Sequence, residues 1–400
     1  MVARTAQSWP SVTLEELPWR STIEPGTASR AEIKRHQGSY LASIPASIAE
    51  QPLGLPSAVL AAADDASAAI SRFDAEMGGE IAPFASVLLR TESAASSRIE
   101  NLTASARAIA EAELGTRKSG NAAHIVANVA AMSAALELSD AISAEAILAM
   151  HQALMADVDP EIAGMFRDQQ VWVGKSFVGP HGADFVPPHH DRLEGALSDL
   201  IAFIERDDIP VLVHVALAHA QFETIHPFVD GNGRTGRALV QSMLRHKELT
   251  RNVTVPISAG LLSDTDLYFS ALSDYRAGIP ETIVERFTDA SFRAIANGTT
   301  LVKELRSIRA DWQERVRVRS DSRAWSIADL VIRQPVINAA VVSAQLEVPM
   351  TNVYRAMQPL VDAGVLIESS TGRRDRAWRS PEVLRAVDAF ASRARRGASS

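Results

Sequence analysis

A mainly α-helical fold is predicted from three observations. Alanine is plentiful while aromatic residues make up only 6% of the chain. Apolar residues recur at helical spacing through most of the sequence. Strand-like stretches are confined to a short segment near residues 169–186 and to the C-terminal end. At 400 residues, 46% apolar and 22% charged, the chain can fill two or three domains of roughly 100–200 residues each.

Taken in order, residues 1–30 are rich in turn formers and read as an arm. From about 31 to 120 the patterns are helical, clearest over 58–77 and 83–114. Ser119-Gly120-Asn121 is a break. Residues 123–138 and 143–155 then give two more helices, the second capped by Ser143. The pattern changes at 169–174, a short strand, with Asp184-Phe185-Val186 as another. Gly179, Pro180 and Gly182 suit the loop of a hairpin, and Pro187-Pro188 ends it. A helix over 192–204 follows, then 211–225, which is apolar on all sides and so belongs at the centre of a bundle. Residues 236–246 resume a helix with Leu239, Val240, Met243 and Leu244 facing inward.

The helix 301–318 carries a Leu301, Leu305, Ile308, Trp312 stripe and links to the last segment. There 325–332, 336–346 and 351–363 read as three short helices, and 365–368 with 374–378 as a wing. This is a winged helix-turn-helix pattern. The expected division is an N-terminal helical region (1–120), a core (121–295), a linking helix (296–322) and the winged helix-turn-helix domain (323–392).

The absence of cysteine excludes disulfides and thiolate metal sites and fits a reducing compartment. The opening residues lack an apolar signal core, and no apolar run approaches the ~20 residues of a membrane span. A cytoplasmic protein with no membrane association is expected. The net charge of −8 is uneven: residues 301–400 hold 17 Lys+Arg against 11 Asp+Glu, the first 300 hold 23 against 37. A basic C-terminal segment points to nucleic acid or an acidic partner there.

Residues 226–237, His-Pro-Phe-Val-Asp-Gly-Asn-Gly-Arg-Thr-Gly-Arg, hold the densest chemistry. Gly231, Asn232 and Gly233 sit at a helix N-terminus, where unpaired amides and a partial positive charge favour phosphate. Glycine lets the backbone come close to an anion and adopt positive φ. Arg234 and Arg237 share a helix face and can clamp a polyphosphate. Asp230 is a hard oxygen ligand placed for Mg²⁺, and His226 can take a proton from a hydroxyl near neutral pH. Each feature alone is common in structural roles; their joint occurrence indicates phosphoryl or nucleotidyl transfer without a covalent enzyme intermediate. The GxxxxGK[ST] loop and HExxH are absent. His214, His219, His189 and His190 are assigned to packing or surface.

The run resembles the signature of the Fic family, HxFx[D/E]GNGRxxR, and matches it at every defined position. The resemblance implies a Fic-type helical bundle with a β-hairpin flap, and AMP transfer from ATP to a protein hydroxyl. It implies His226 as general base, Phe228 as a loop anchor and Asp230 as the Mg²⁺ ligand. Gly231, Asn232 and Gly233 would form the anion hole, with Asn232 near the α-phosphate. Arg234 would contact the β-phosphate side and Arg237 the γ-phosphate, with Gly236 counted among the nucleotide-binding residues. The intact Gly233-Arg234 favours AMP transfer over the kinase chemistry of the relative Doc.

Upstream, Ser96-x-x-x-Glu100-Asn101 is similar to the family's inhibitory pattern [S/T]xxxE[G/N], as is the surrounding 91–100 stretch. It implies that Glu100 pairs with Arg237 and denies it to the γ-phosphate. A coupling of about 1–3 kcal/mol would change productive binding roughly 5–150-fold. Gly164, Arg167, Val171, Val173 and Pro187-Pro188 resemble the flap region, where a target protein would add its backbone as a strand along 171–186. Tyr268-Phe269 would border the adenine or pack in the core.

In the winged helix, Asn352, Arg355 and Gln358 could face a DNA groove, with Arg373, Arg374, Arg376 and Arg379 on phosphates. DNA contact and protein docking or homodimer formation there stand at comparable odds. Two alternatives to AMP transfer are kept: AMP removal at the same site with Glu100 orienting water, and a nucleotide-sensing DNA-binding regulator.

Overall fold

The computed structural model describes residues 9–20, 26–78, 83–115, 120–369 and 376–395. Two antiparallel strands open it, β1 (Thr13–Trp19) and β2 (Gly38–Ile44), paired from Thr13↔Ile44 to Trp19↔Gly38. Between them lies α1 (Arg30–Arg35), started by a Ser29/Glu32 capping box. Residues 13–19 and 38–44 thus form a two-stranded ribbon where an arm and the start of a helical region are expected. Tyr40 and Ala42 are buried while Leu41 on the opposite pleat is exposed.

Helices α2 (Ser57–Gly78), α3 (Pro83–Ile99), α4 (Ala106–Glu113), α5 (Asn121–Glu137) and α6 (Ala144–Met155) follow. The expected run over 83–114 is thus two helices. α3 stops in a Schellman motif: Asn101 has φ 61°, its N–H reaches the Arg98 carbonyl at 2.9 Å, and Leu102 N–H reaches the Ser97 carbonyl at 3.0 Å. Ser143 caps α6 as expected, accepting from Ala146 N–H at 3.2 Å.

Next come α7 (Leu193–Ile204), α8 (Val211–Ile225), α9 (Asn232–His246), α10 (Ile257–Leu261), α11 (Thr265–Arg276) and α12 (Glu281–Arg315). α12 is one 35-residue helix that starts well before residue 296. The C-terminal elements are α13 (Arg323–Arg333), β3 (Val336–Asn338), α14 (Ala339–Leu346), α15 (Met350–Asp362), β4 (Ile367–Glu368), β5 (Ala377–Arg379) and α16 (Pro381–Arg395). Residues 336–338, expected to open a helix, instead form a strand in an antiparallel sheet of order β3-β5-β4.

The chain divides into two compact units. The first takes residues up to Asp64, Ala134–His246 and Asp266–Phe287; the second takes Asp65–Ser133, Lys247–Thr265 and the residues from Thr288 onward. In the first, α8 is the core element: every residue from Leu212 to Ile225 is buried, as its all-round apolar sequence requires. The Asp199 carboxylate accepts from Ile48 N–H at 2.7 Å and Ala49 N–H at 3.2 Å. Gln221 donates to the Ala46 carbonyl at 2.8 Å. These bonds seat the segment after β2 on α7 and α8.

In the second unit, buried carboxylates do the equivalent work. Asp74 accepts from the backbone N–H of Arg251, Asn252 and Val253 at 2.8–3.0 Å. Glu92 accepts from Ser258 N–H and Oγ at 2.9 and 2.6 Å. Among the described residues no helix is long and apolar enough to cross a membrane.

Candidate active site

The signature run lies in the first unit, across the end of α8 and the start of α9. α8 ends at Ile225, and His226 takes the left-handed conformation, φ 51° and ψ 62°, with its N–H on the Phe222 carbonyl. A non-glycine residue there is strained and persists only where its surroundings hold it. What holds it is Arg167, only 4% exposed. Its guanidinium donates to the carbonyls of His226 at 2.8 Å, Gln169 at 2.9 Å and Pro188 at 2.6 Å, with a longer 3.5 Å contact to Ile225. Its backbone N–H donates to the Pro227 carbonyl at 3.0 Å. One buried side chain thus ties the His226 turn to both ends of the flap. Burial pushes its pKa down to about 10.

The His226 ring is 19% exposed, so a substrate can reach it. Burial first, then the Arg167 and Arg276 charges, push its pKa down to about 3, against hydrogen bonding to the Glu223 backbone and the Asp230 charge. The imidazole is therefore neutral at physiological pH, the form a general base needs.

The loop after His226 is pinned from two sides. Phe228 is fully buried and stacks on His151 at 3.8 Å between ring centroids. His151 Nδ1 accepts from Gly164 N–H at 3.1 Å, which fixes its other nitrogen as the donor to the Asp230 carbonyl, 3.0 Å away. Asn232 closes the loop from within: its Oδ1 accepts from Phe228 N–H and its Nδ2 donates to the Phe228 carbonyl, both at 2.8 Å. The Asn232 carboxamide is thus committed to Phe228. What Asn232 can offer an anion is its backbone N–H.

Gly231 has φ +80°, and a Cβ there would come within 3.0 Å of Leu154. α9 starts at Asn232 rather than at Gly236, and its first ladder bond is Thr235 N–H to the Gly231 carbonyl at 2.9 Å. The amides of residues 232–234 therefore precede the ladder, where a helix binds anions. Arg234 and Arg237 are both buried, at 3% and 2%. Asp230 is 64% exposed with one oxygen 3.2 Å from Arg234 Nη2. A single solvent-facing carboxylate beside a phosphate cradle suits Mg²⁺, which completes its shell with phosphate and water oxygens. Gly236 instead faces α8: a Cβ would lie 2.8 Å from Glu223 Oε1 and 2.9 Å from the Phe222 ring. The absence of a side chain there lets α9 pack closely on α8.

The flap is present but less regular than expected. One antiparallel pair, Val173 with Phe185, carries it, with N–H to carbonyl bonds of 2.8 and 3.1 Å. The N-terminal ribbon joins it, Ser43 N–H donating to the Val186 carbonyl at 3.0 Å. Trp19 meets Trp172 edge-on at 5.3 Å, and Glu15 takes a bidentate bond from Arg192. Arg276 lies over the Phe185 ring at 3.6 Å. Sequence reasoning missed Arg276 and His151 and saw Arg167 only as part of the flap; none stands in a motif that announces its partner.

Elsewhere, Tyr268 is buried with its hydroxyl 2.7 Å from His219, and Phe269 is exposed. His214 is buried on the Phe203 carbonyl. His189 and His190 are half-buried. The upstream motif lies in the second unit: Ser96 is buried in α3, while Glu100 and Asn101 are exposed in the turn that ends it. The [G/N] position is thus the left-handed residue that stops the helix just after the glutamate. In the C-terminal segment Arg355 bonds to Asn352 and Gln358 to Asp362. Arg376 forms a bidentate pair with Glu368. Arg373 and Arg374 lie outside the described residues.

Residues 141–244 match the Fic/DOC family model. A Caenorhabditis elegans protein adenylyltransferase, fic-1, is 29% identical over 140 residues, covering 34% of this chain and 26% of its own length. A Drosophila erecta protein adenylyltransferase, Fic, is 37% identical over 101 residues, covering 24% and 19%. The chain thus spans about a quarter or less of these curated relatives. A crystal structure of a Fic family protein from Desulfovibrio desulfuricans G20 aligns with 82% of this chain and 97% of its own, at TM-score 0.52 and 20% identity; that likeness shows the fold alone. Residues 141–244 of this chain are a Fic domain.

Proposed function

We propose that this chain transfers AMP from ATP to a hydroxyl side chain of a protein, its own included, and that Glu100 restrains the reaction by pairing with Arg237. The observation that carries the reading is His226, a neutral, partly exposed imidazole in the turn that leads into α9, whose first turns carry two buried arginines. The amides of Asn232, Gly233 and Arg234 would receive phosphate oxygens, and Arg234 and Arg237 the β- and γ-phosphates. His226 would take the proton of the target hydroxyl as its oxygen bonds to the α-phosphorus. The bond from that phosphorus to the bridging oxygen breaks, and pyrophosphate leaves. Mg²⁺ would be held by Asp230 and the phosphates, and supplies charge neutralisation when bound.

The flap supports a target strand laid beside Val173. For the segment 323–392 we read a winged helix-turn-helix unit that contacts DNA or a protein, supported by the order helix-strand-helix-helix-strand-strand. The test is incubation with Mg²⁺ and ATP labelled at the α-phosphate, with and without cell lysate. Label should appear with Glu100→Gly and fall about 10²–10⁴-fold when His226→Ala is added. No label in any variant refutes AMP transfer.

A further inference from the structure

Beside α3, the helix that precedes Glu100, the second unit contains a cavity of about 60 Å³. Ala95 and Arg98 of α3, Ala110 and Glu113 of α4, and Val387 and Phe390 of α16 line it. At roughly 10–15 Å³ for each water-sized group, it holds about four to six heavy atoms. Its walls are mostly apolar, with a few polar groups converging on it, the usual make-up of a small-molecule site.

The charges in the wall are unevenly matched. Arg90 is neutralised by Glu113, 2.5 Å from its Nε, and it also donates to the Arg333 carbonyl. Asp388 accepts from Ala106 N–H at 3.0 Å. Arg98 donates one bond to the Ala391 carbonyl at 3.2 Å, but its buried Nε meets no acceptor among the described residues. Burial and the nearby Arg395 charge push its pKa down, against the attraction of Asp388. Arg98 is thus a lining cation whose donors are incompletely met, and a buried donor without a partner favours any ligand that supplies an acceptor. The second oxygen of Glu113 is also buried and without a partner. It repels an anion, so an acidic ligand must turn its charged end toward Arg98.

We propose that this cavity binds a short aliphatic carboxylate, its oxygens on the Arg98 guanidinium and its body of about three or four carbons among Ala95, Ala110 and Phe390. Occupancy fixes α3, and so sets how strongly Glu100 restrains the transferase site. The binding stands on the cavity alone; its regulatory consequence rests on the proposed role of Glu100.

The test uses the full chain and titrates butyrate by isothermal calorimetry, with butanol and butylammonium as probes of the same body and a different head group. Butyrate should bind saturably at one site per chain. Arg98→Gln should weaken it roughly 10–100-fold, Arg98→Lys should recover part of that loss, and Ala94→Leu, which enlarges another lining residue of α3 into the cavity, should abolish it. Absence of saturable butyrate binding, binding unchanged by Arg98→Gln, or equal binding of butylammonium would overturn the site. AMP labelling is read separately. Butyrate should change labelling in the wild type and leave Glu100→Gly unaffected. Saturable butyrate binding with unchanged wild-type labelling would overturn the regulatory part alone. If no variant labels, the AMP-transfer reading fails while the calorimetry still decides the site.

Discussion

Removing Arg167 should loosen the catalytic turn and the flap together. Its three short guanidinium bonds, at 2.6–2.9 Å, are each worth about 1.5–3 kcal/mol because the donor is charged, or roughly 4–9 kcal/mol together. Keeping the charge buried works against this. A pKa lowered from 12.5 to about 10 corresponds to about 3.4 kcal/mol at 1.36 kcal/mol for each pKa unit. The difference, on the order of 3 kcal/mol, agrees with the usual cost of breaking a buried ionic network, about 3–5 kcal/mol. Arg167→Leu should therefore speed amide hydrogen exchange on both sides of the clamp, in peptides spanning 165–173, 184–190 and 222–228, by about 10²-fold. Exchange in the α13 helix of the second unit should not change. Labelling in a Glu100→Gly background should fall as well, with Arg167→Lys intermediate because one ammonium cannot span three carbonyls. Unaltered exchange in these peptides, or uniform acceleration over the whole chain, would refute the clamp.

Other outcomes follow from single contacts. His219 and His226 are both pushed down to about 3, so the unfolded chain binds their protons more readily. Their contribution to stability is complete above pH 6.5 and is lost as pH falls toward 3; by pH 5 each has lost up to about 2 kcal/mol. Thermal midpoints measured from pH 7.5 to 5 should fall, and a flat profile would contradict the assigned burial. Asp74→Ala should cost about 2–4 kcal/mol by calorimetry, since it strands the buried Val253 N–H and two neighbouring amides; Asp74→Asn should cost less. Gly236→Ala places a methyl against Phe222 and Glu223, which should cost about 1–3 kcal/mol and raise the KM for ATP by displacing α9. An unchanged KM would mean that α9 absorbs the methyl.

The sequence showed the site more clearly than its supports. The signature run is contiguous, so its chemistry could be read before any contact was known, and α8 was marked as central because no polar face interrupts it. Schellman ends are written in local residues too, yet Ala-rich periodicity continues beyond Asn101 and masks the stop after Ile99. β1 and β2 escaped notice for a different reason. Their alternation is weak, with Leu14 and Leu41 facing outward, and each strand finds its partner only across the α1 connection. Arg167 and His151 act on carbonyls and amides far along the chain, and a backbone group leaves no trace in the sequence of its partner.

A hairpin with an open edge can pair with a second copy of itself. The Ser43 bond to Val186 places the N-terminal ribbon on one side of the Val173–Phe185 pair. Only the Val173 side then remains for an added strand, and a visiting segment meets a surface with a defined direction. Without the ribbon, the flap would have two raw edges, the arrangement from which sheet-to-sheet polymers grow. A chain shortened past residue 45 should therefore self-associate, because the ribbon is what covers the Val186 side of the pair.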